Sequence, residues 1–509
     1  SFAAIARSRP WTVGLAFLSL FALVPLAFSG HSSSNVDHET AVNMLGVHLV
    51  SVTIWVGGLI GIIALRDVIG NALTIVLERF SYVAAWCFAG VAISGIILAV
   101  AQVQSFSDVV KPYGMLVIAK IVVLVFLGAV AVVQRRKSLA ELRRIGASST
   151  LFIRATAVEV ALMAAAVGLA TSLSRTAPPV EGVLPDTSAI WNLTGFPDPG
   201  KPDSMTWITA WRIDWFWAGI TVVAIGLYLA GVIRLHRRGD HWPIGRAINW
   251  TIGWLVFGWA TNSAPMIYGR LSFSWHMAFH MLLVMLIPVF LALGAPVTLT
   301  ARALKHRRDG TMGPRELLLG YVHSRWAAFF GNPVVASINF FGSMIVFYYS
   351  PLFELALRSH GGHIAMIVHF MMAGYVFAWM LMGVDPGPKR WAAPLRVVVL
   401  FAAISFHAFF GVSIASGSTL LAPDFFKALH VPWIPDLLAD QQAGGNITWA
   451  IGEVPTLALA LLVTLAWSRE DKHESMRLDR QADRDGDAEL TAYNARLAAI
   501  AKHDKETQD

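Results

Sequence analysis

Five histidines in the second half of the chain lie in apolar runs that are long enough to cross a bilayer. They are His276 and His280 in SFSWHMAFHMLL, His363 and His369 in HGGHIAMIVHFMMAG, and His407 in ISFHAFFG. Ionisable side chains are costly inside hydrocarbon, so several of them on neighbouring spans indicate a functional site. Because imidazole is the commonest metal ligand among side chains, the pattern predicts a metal site.

Methionines accompany these histidines at helical spacing. Met277 and Met281 each follow a histidine of the first pair, and Met366 lies midway between the two histidines of the second pair. Thioethers select Cu(I), and imidazole accepts either oxidation state of copper, whereas zinc more usually recruits cysteine or carboxylate beside histidine. The chain has one cysteine, Cys87, which excludes a paired-cysteine site. The expected ion is therefore copper.

Two other interpretations of the histidines stay open. A histidine in a membrane helix often makes an interhelical hydrogen bond, and methionine often fills gaps in apolar cores. A single haem bound between His280, His369 or His407 is the other alternative. The short spacings within each histidine pair do not favour two stacked haems.

The composition identifies the elements that must carry these side chains. The chain has 509 residues, of which 56% are hydrophobic, and its mean hydropathy is +0.59. Its apolar runs are continuous over about twenty residues, the length of a membrane helix, whereas barrel strands alternate apolar and polar residues. We therefore predict an all-α, polytopic transmembrane bundle.

Twelve apolar segments qualify as membrane spans, and we expect the first to be a retained anchor rather than a cleaved signal. The predicted spans are 11–29, 41–64, 82–103, 113–133, 152–173, 213–234, 247–263, 273–294, 333–349, 362–383, 394–415 and 447–467.

The distribution of lysine and arginine predicts the orientation. With the N-terminus inside, twenty basic residues fall in or beside inner connections and seven in outer ones. We expect the chain to lie in the plasma membrane. The positive-inside rule then predicts that both termini are in the cytoplasm. The net charge of +7 reflects this bias, so we do not predict nucleic-acid binding.

The predicted topology separates the histidines into two layers. At 1.5 Å per helical residue, His280, His369 and His407 lie roughly 10–12 Å below the outer edge of their spans. His276 and His363 lie about one to two turns nearer the outer surface and are expected to form the entrance. His363 and His369 are also about 120° apart around their helix, so both cannot point at one ion.

Composition divides the chain into four parts. We predict a five-helix bundle at 1–175, an extracytoplasmic linker at 176–212, a seven-helix bundle at 213–467 and a charged cytoplasmic tail at 468–509. The linker is rich in Pro, Ser, Asp and Gly, which is typical of a connection between domains.

The first bundle carries three polar candidates of its own. His48 falls about 5 Å below the outer edge of the second span, where it either collects copper or packs as a polar core residue. Lys120 and Glu159 are rare charges inside predicted spans. They either neutralise each other or line a path for ions.

Asp440 is the candidate carboxylate of the second bundle. It lies in the outer segment 416–446, where it either orients a ligand imidazole, binds metal itself or caps a helix. The sequence shows no phosphate-binding glycine loop, HExxH element or paired nucleophile and base in a convincing context. We therefore do not predict an enzyme.

Residues 214–467 resemble the polytopic CtaG-type cytochrome oxidase assembly proteins of bacteria. The matching motifs are NSAPMIYGRLSFSWHMAFHML at 262–282, NP at 332–333, YYSPLFELALRSHGGH at 348–363, His369, His407 and DQQAGGNITWAIGEVP at 440–455. The resemblance covers the second bundle in order, and the two-histidine HMxxHM element is its most specific part.

The first bundle looks like a CopD-type copper-uptake domain, with His48, WVGG at 55–58 and Lys120 among its landmarks. The fused arrangement is similar to bifunctional proteins found among actinobacteria. It implies copper handling at the outer membrane face, with cytochrome c oxidase subunits or the respiratory complex as partners. The alternative function is copper import. A haem-binding electron carrier is the third candidate function.

Overall fold

The computed structural model describes residues 9–28, 38–103, 105–133, 150–177, 179, 188–309, 311–387 and 391–506. The regular elements in these ranges are helices. One isolated antiparallel β-bridge pairs Trp211 with Ser263. The predicted basic connection within 134–149 and the basic pair within 388–390 lie outside the described residues.

The chain forms two compact units. The first comprises Ser1–Pro202, Ile213–Gly219 and Ala428–Val431, and the second comprises Asp203–Arg212, Ile220–Lys427 and Pro432–Asp509. The boundaries between the four parts predicted from the sequence remain predictions.

Long apolar helices dominate the first half of the chain. Trp55, Leu59, Cys87, Val91 and Leu127 form part of its buried core, and Cys87 is a free thiol. In chain order the helices are α1 (Arg9–Phe21), α2 (Val24–Phe28), α3 (His38–Ala64), α4 (Arg66–Ile69), α5 (Leu73–Gln102), α6 (Phe106–Val109), α7 (Pro112–Val133), α8 (Thr150–Arg175) and α9 (Ala189–Thr194), with a 3₁₀ turn at Gly70–Ala72.

The second half is built from helices that are interrupted more often. Two π-helical turns, Leu282–Leu286 and Ile338–Gly342, each lie inside a longer helical run. The α-helices are α10 (Thr206–Thr209), α11 (Trp215–His236), α12 (Ile244–Asn262), α13 (Ala264–Gly269), α14 (Phe273–Met281), α15 (Ile287–Leu293), α16 (Pro296–Ala303), α17 (Pro314–Val322), α18 (Arg325–Phe330), α19 (Pro333–Ser337), α20 (Ser343–Tyr348), α21 (Pro351–Arg358), α22 (His360–Met382), α23 (Ala393–Ala415), α24 (Pro423–Leu429), α25 (Leu437–Asp485) and α26 (Ala488–Glu506).

The protein is a multi-pass helical membrane protein. Among the described residues, nine helices are long and apolar enough to cross a membrane, and a tenth is obtained if Pro333–Tyr348 and Pro351–Arg358, bent by 77°, form one span. All twelve predicted segments coincide with helices, but two fall short of this criterion. The segment 11–29 is broken between α1 and α2, and α12 carries polar residues such as Arg246 and Asn249.

The helical run α14–α15 lies at the centre of the second unit. In the apolar stretch of Phe273–Ala303, 67% of the residues are buried, compared with 6% in Pro112–Val133 of the first unit. Gly374 of α22 packs directly on the carbonyl of Val284 in the first π-turn, where no side chain would fit. The most enclosed helix of the unit therefore carries the first histidine pair.

Candidate metal centre

The N-terminus of α14 is fixed by Asp440 of α25. Its carboxylate accepts hydrogen bonds from the Phe273 backbone N–H at 2.7 Å and from the hydroxyls of Ser272 at 2.9 Å and Ser274 at 2.6 Å. A carboxylate at this position satisfies an otherwise unpaired helix donor and complements the helix dipole. Of the roles open to Asp440 in the sequence, the structure therefore places it as a cap on the helix that carries His276 and His280.

His276 is enclosed and uses both of its ring nitrogens. Nδ1 lies 3.2 Å from the carbonyl oxygen of Gly269, and Nε2 lies 3.0 Å from the hydroxyl of Tyr348. A carbonyl oxygen only accepts, so Nδ1 carries the proton and the Tyr348 hydroxyl donates to Nε2. In this arrangement, the imidazole of His276 acts as a scaffold between α13 and α20.

His280 lies one turn deeper and is fully buried. Neither of its ring nitrogens has a hydrogen-bond partner among the residues that the structure describes. Its ring packs edge-on against Phe370, with centroids 4.2 Å apart, and against Tyr348 at 5.4 Å. A buried polar group without a partner costs free energy, so this imidazole is available to a ligand.

His407 of α23 offers one nitrogen. Its Nε2–H donates to the Thr448 carbonyl at 3.0 Å, which leaves the lone pair on Nδ1, and this atom is buried without a partner in the described part of the chain. Gly452 of α25 packs directly against the ring, where a Cβ would overlap it. A carbonyl and a glycine on one helix therefore fix the orientation of this side chain.

These side chains gather in one region without forming a finished chelate. His280 interacts electrostatically with His276, His407 and His369, so α14, α22 and α23 bring four imidazoles near one another. Within the described ranges, however, no three His, Cys, Asp or Glu side chains are arranged to hold one ion. Any shared ion must therefore recruit a thioether or draw the imidazoles together.

The two histidines of α22 point in different directions. His363 is buried, and its ring stacks on Phe279 of α14 with centroids 6.3 Å apart, whereas the side chain of His369 is exposed. We grouped His369 with the deep histidines by its estimated depth, and its phase already placed it about 120° from His363 around the helix. Their spacing of six residues turns one away from the interior when the other faces it.

The accompanying methionines are enclosed. Met277, Met281 and Met366 are each at most 3% exposed. Three soft sulfur donors on the same helices as the histidines lie inside the unit. The donor set is therefore imidazole and thioether, which suits Cu(I).

Sequence reasoning missed Tyr348. This buried phenol donates to His276, contacts the ring of His280 and packs on Phe410 of α23 at 5.5 Å. The π-helical turn that begins directly after Met281 was also not predicted, although such turns are frequent at functional sites. Neither feature has a clear signature in hydrophobic periodicity.

The first unit holds a smaller polar site. The Ser94 hydroxyl donates to the Gly90 carbonyl at 2.7 Å, so His48 Nδ1, at 3.0 Å, donates to Ser94 Oγ. Lys120 interacts electrostatically with His48, and Glu159 is buried. The pairing of Lys120 with Glu159 stays a prediction.

Comparisons with known proteins find two families in separate ranges of the chain. Residues 226–470 match the family described as cytochrome c oxidase caa3 assembly factor. Residues 75–173 match the family described as copper resistance protein D. The first range contains the buried histidines of α14, α22 and α23, and the second contains Ser94 and Lys120.

Similar curated proteins come from mycobacteria. An uncharacterized protein of Mycobacterium leprae (strain TN) is 39% identical over 311 residues, and uncharacterized proteins of Mycobacterium bovis and Mycobacterium tuberculosis are each 40% identical over the same length. Each alignment covers 60% of this chain and 47% of the relative, so the chain spans about half the length of these proteins. No solved structure matches.

Proposed function

We propose that this chain binds copper in the membrane and delivers it to a cytochrome c oxidase during assembly. The matches of residues 75–173 to the family described as copper resistance protein D and of residues 226–470 to the family described as cytochrome c oxidase caa3 assembly factor support this proposal. The observation that carries this proposal is the fully buried imidazole of His280, whose two nitrogens lack partners among the described residues. Copper is the cargo of the protein rather than a resident cofactor.

We divide the residues of the proposed site into copper ligands and residues that surround or support those ligands. His280 and Nδ1 of His407 supply imidazole, because these nitrogens have no other partner in the described part of the chain. Buried thioethers add soft donors, and the enclosed, aromatic surroundings exclude water. The thioether donors are Met277, Met281 and Met366, while His276, His363, His369 and Asp440 form the entrance, rim and support of the site.

The orientation of the chain completes the proposal. We propose twelve membrane crossings with both termini in the cytoplasm, two bundles at 1–175 and 213–467, a linker between them and a cytoplasmic tail from 468. The excess of basic residues in one set of connections supports this topology. It directs the histidine region toward the outer face, where an oxidase subunit would receive copper.

Copper import through the first unit is a second candidate function. It is favoured by the half-buried His48, which is hydrogen-bonded to the buried Ser94 beside Lys120, in helices long enough to cross the membrane. In this function, Lys120 and Glu159 line or neutralise the path. The two functions are compatible, because import and delivery would use different units.

The decisive experiment measures copper in the purified full chain. Protein in detergent is loaded with Cu(I), exchanged against a competing chelator, and analysed for bound metal and for its visible spectrum. The comparison is wild type, His280→Ala and the control His241→Ala, which removes an exposed histidine between α11 and α12. We expect copper in the wild type and in His241→Ala, and little in His280→Ala.

Three other results contradict the proposal. Wild-type protein that takes up no copper would exclude copper as the cargo. Equal amounts of bound copper in wild type and His280→Ala would exclude His280 as a copper ligand. A haem absorption band that disappears in His280→Ala would support the electron carrier instead.

A further inference from the structure

Exposed aromatic side chains cluster on the connection between two apolar helical runs of the second unit. The connection, residues 304–332, follows α16, precedes α19 and contains the short helices α17 and α18. Tyr321, Trp326 and Phe329 are 60%, 69% and 55% exposed. Because the connection joins membrane-embedded runs, these rings lie at a membrane face, the level at which aromatic side chains are enriched.

Unpaired cations lie in the same connection. Lys305, Arg308 and Arg325 are exposed, and none of them has a hydrogen-bond or ion-pair partner among the residues that the structure describes. The neighbouring Arg302 and Arg315 are partly engaged, by Asp240 at 3.9 Å and by the Ala301 carbonyl at 2.9 Å. The surface therefore presents positive charge that the protein itself does not neutralise.

The two acidic residues of the connection, Asp309 and Glu316, offset only part of its positive charge, because the connection carries five lysines and arginines. Glu316 accepts hydrogen bonds from the backbone N–H groups of Arg307 and Gly313, both at 3.0 Å, and contacts His306 at 3.1 Å. These interactions, chiefly the hydrogen bond from the Arg307 backbone, lower the pKa of Glu316 to about 2. The carboxylate is therefore ionised, and it holds the loop between Arg307 and Gly313. Asp309 in turn accepts from Thr311.

We propose that the connection 304–332 is a docking surface for the headgroups of anionic phospholipids. Lys305, Arg308 and Arg325 bind the phosphate groups, while Tyr321, Trp326 and Phe329 enter the boundary between headgroups and acyl chains. Charge complementarity and continuity with the membrane-embedded helices favour a lipid over a protein partner, because the connection begins and ends at apolar helical runs long enough to enter a membrane. The inference does not depend on copper binding.

A fluorophore on the connection tests this assignment. The full chain carries one cysteine, the buried Cys87, so Ala328→Cys on the exposed face of α18 provides a selective labelling site. The labelled protein is reconstituted in bilayers that contain either brominated phosphatidylglycerol or brominated phosphatidylcholine at equal amounts. We expect stronger quenching by the brominated phosphatidylglycerol, and we expect added salt to weaken that preference.

A charge variant identifies the residues responsible. Lys305→Gln, Arg308→Gln and Arg325→Gln together should reduce the preference for phosphatidylglycerol by well over fivefold, since each cation near an anionic surface contributes roughly fivefold and three are removed. The control removes three exposed cations from the tail part of α25, Arg477→Gln, Arg480→Gln and Arg484→Gln, and should keep the preference.

The remaining outcomes overturn the proposal. Equal quenching by both brominated lipids would show contact without charge recognition. Absence of quenching by either lipid would place the connection away from the bilayer and leave its surface for a protein partner. A preference that persists in the triple variant of the connection would assign lipid binding to other residues.

Discussion

Two histidines one turn apart on α14, which the sequence separates only by their depth, have different hydrogen-bonding environments. His276 is held at both nitrogens by Gly269 and Tyr348, whereas His280 has two nitrogens without partners in the described part of the chain. A hydrogen-bonded histidine stabilises the bundle, and an unpartnered one lowers its stability until a ligand arrives. Residue by residue, the site thus separates a supporting group from a candidate ligand.

Tyr348→Phe tests this separation. Among the residues that the structure describes, the Tyr348 hydroxyl is the hydrogen-bond donor to His276 Nε2. Its removal leaves this nitrogen unpaired, so we expect the free energy of unfolding to fall by about 1–3 kcal/mol. Copper binding should persist, because the proposed ligands are His280 and His407. Thermal unfolding and the copper competition assay measure the two effects.

Tyr349→Phe is the matched control for this change. Its hydroxyl contacts Ser413 Oγ at 2.6 Å, but the side chain is 52% exposed, so a smaller loss of stability is expected. If Tyr348→Phe abolished copper binding while the fold survived, the phenol would be part of the ligand shell and the separation would be wrong.

The residue types of the site were predictable, and their individual geometry was not. Histidines in apolar runs indicated a functional site because burial of an ionisable group is costly, and the neighbouring methionines indicated copper because thioethers select Cu(I). Tyr348 was missed because a tyrosine near the end of an apolar run is also typical of the membrane interface. The spacing of His363 and His369 gave the angle of about 120° between them around α22, but not which of the two side chains is exposed.

Among the helices, α14 depends on contacts from a distant part of the chain. Asp440 of α25 caps its first turn, and Gly374 of α22 lies against the π-turn that follows it. Both contacts join segments that are far apart in sequence. The position of the first histidine pair is therefore set by tertiary packing rather than by the local helical tendency of α14.

Asp440→Ala should disturb the site through α14. Loss of a cap that accepts from a backbone N–H and two hydroxyls is expected to lower the free energy of unfolding by about 2 kcal/mol and to weaken copper binding. Asp436→Ala is the control, because Asp436 caps α25 itself through Leu438 and Ala439.

The control should lose about 1 kcal/mol of stability and keep its copper affinity. Equal copper affinities in the two variants would show that capping of α14 does not position the ligands. Thermal melts and chelator competition on both proteins give the comparison.

Gly452→Ala should displace His407. A Cβ at this position overlaps the imidazole, so the ring must turn away from Thr448 or α25 must move. We expect a loss of about 1–3 kcal/mol in stability and weaker copper binding. Gly226→Ala in α11 is the control, because no atom lies within 4 Å of its Cβ, and it should be neutral or stabilising.

Unchanged copper affinity in Gly452→Ala would remove His407 from the proposed ligands. Circular dichroism of both glycine variants confirms that they retain their helices, and the competition assay then reports the site alone.

Hydrophobic runs predicted the helices well, because each membrane helix must bury an apolar surface along its full length. The same runs could not predict where helices break. The π-turns at Leu282–Leu286 and Ile338–Gly342 and the 77° bend before Pro351 lie within apolar sequence that also suits a straight helix. These breaks depend on packing between helices, which composition does not encode.

At the scale of the whole molecule, two units with different chemistry share one chain. The first exposes most of its apolar helices and contains His48 with Ser94, and the second buries His276, His280, His363 and His407. Families linked by their descriptions to copper resistance and to oxidase assembly match separate ranges. The arrangement suggests a division between entry of copper and its delivery.

Single variants in cells test this division. In a host that lacks its own copy, His48→Ala should lower cellular copper and, with it, oxidase activity, and extra copper in the medium should restore the activity. His280→Ala should leave cellular copper unchanged, and extra copper should not restore oxidase activity, because the lost step follows entry. The exposed His241→Ala serves as the control for both measurements. If extra copper restored oxidase activity in His280→Ala, both units would be assigned to import. Normal cellular copper in His48→Ala would leave delivery as the one function, since only import requires a path through the first unit.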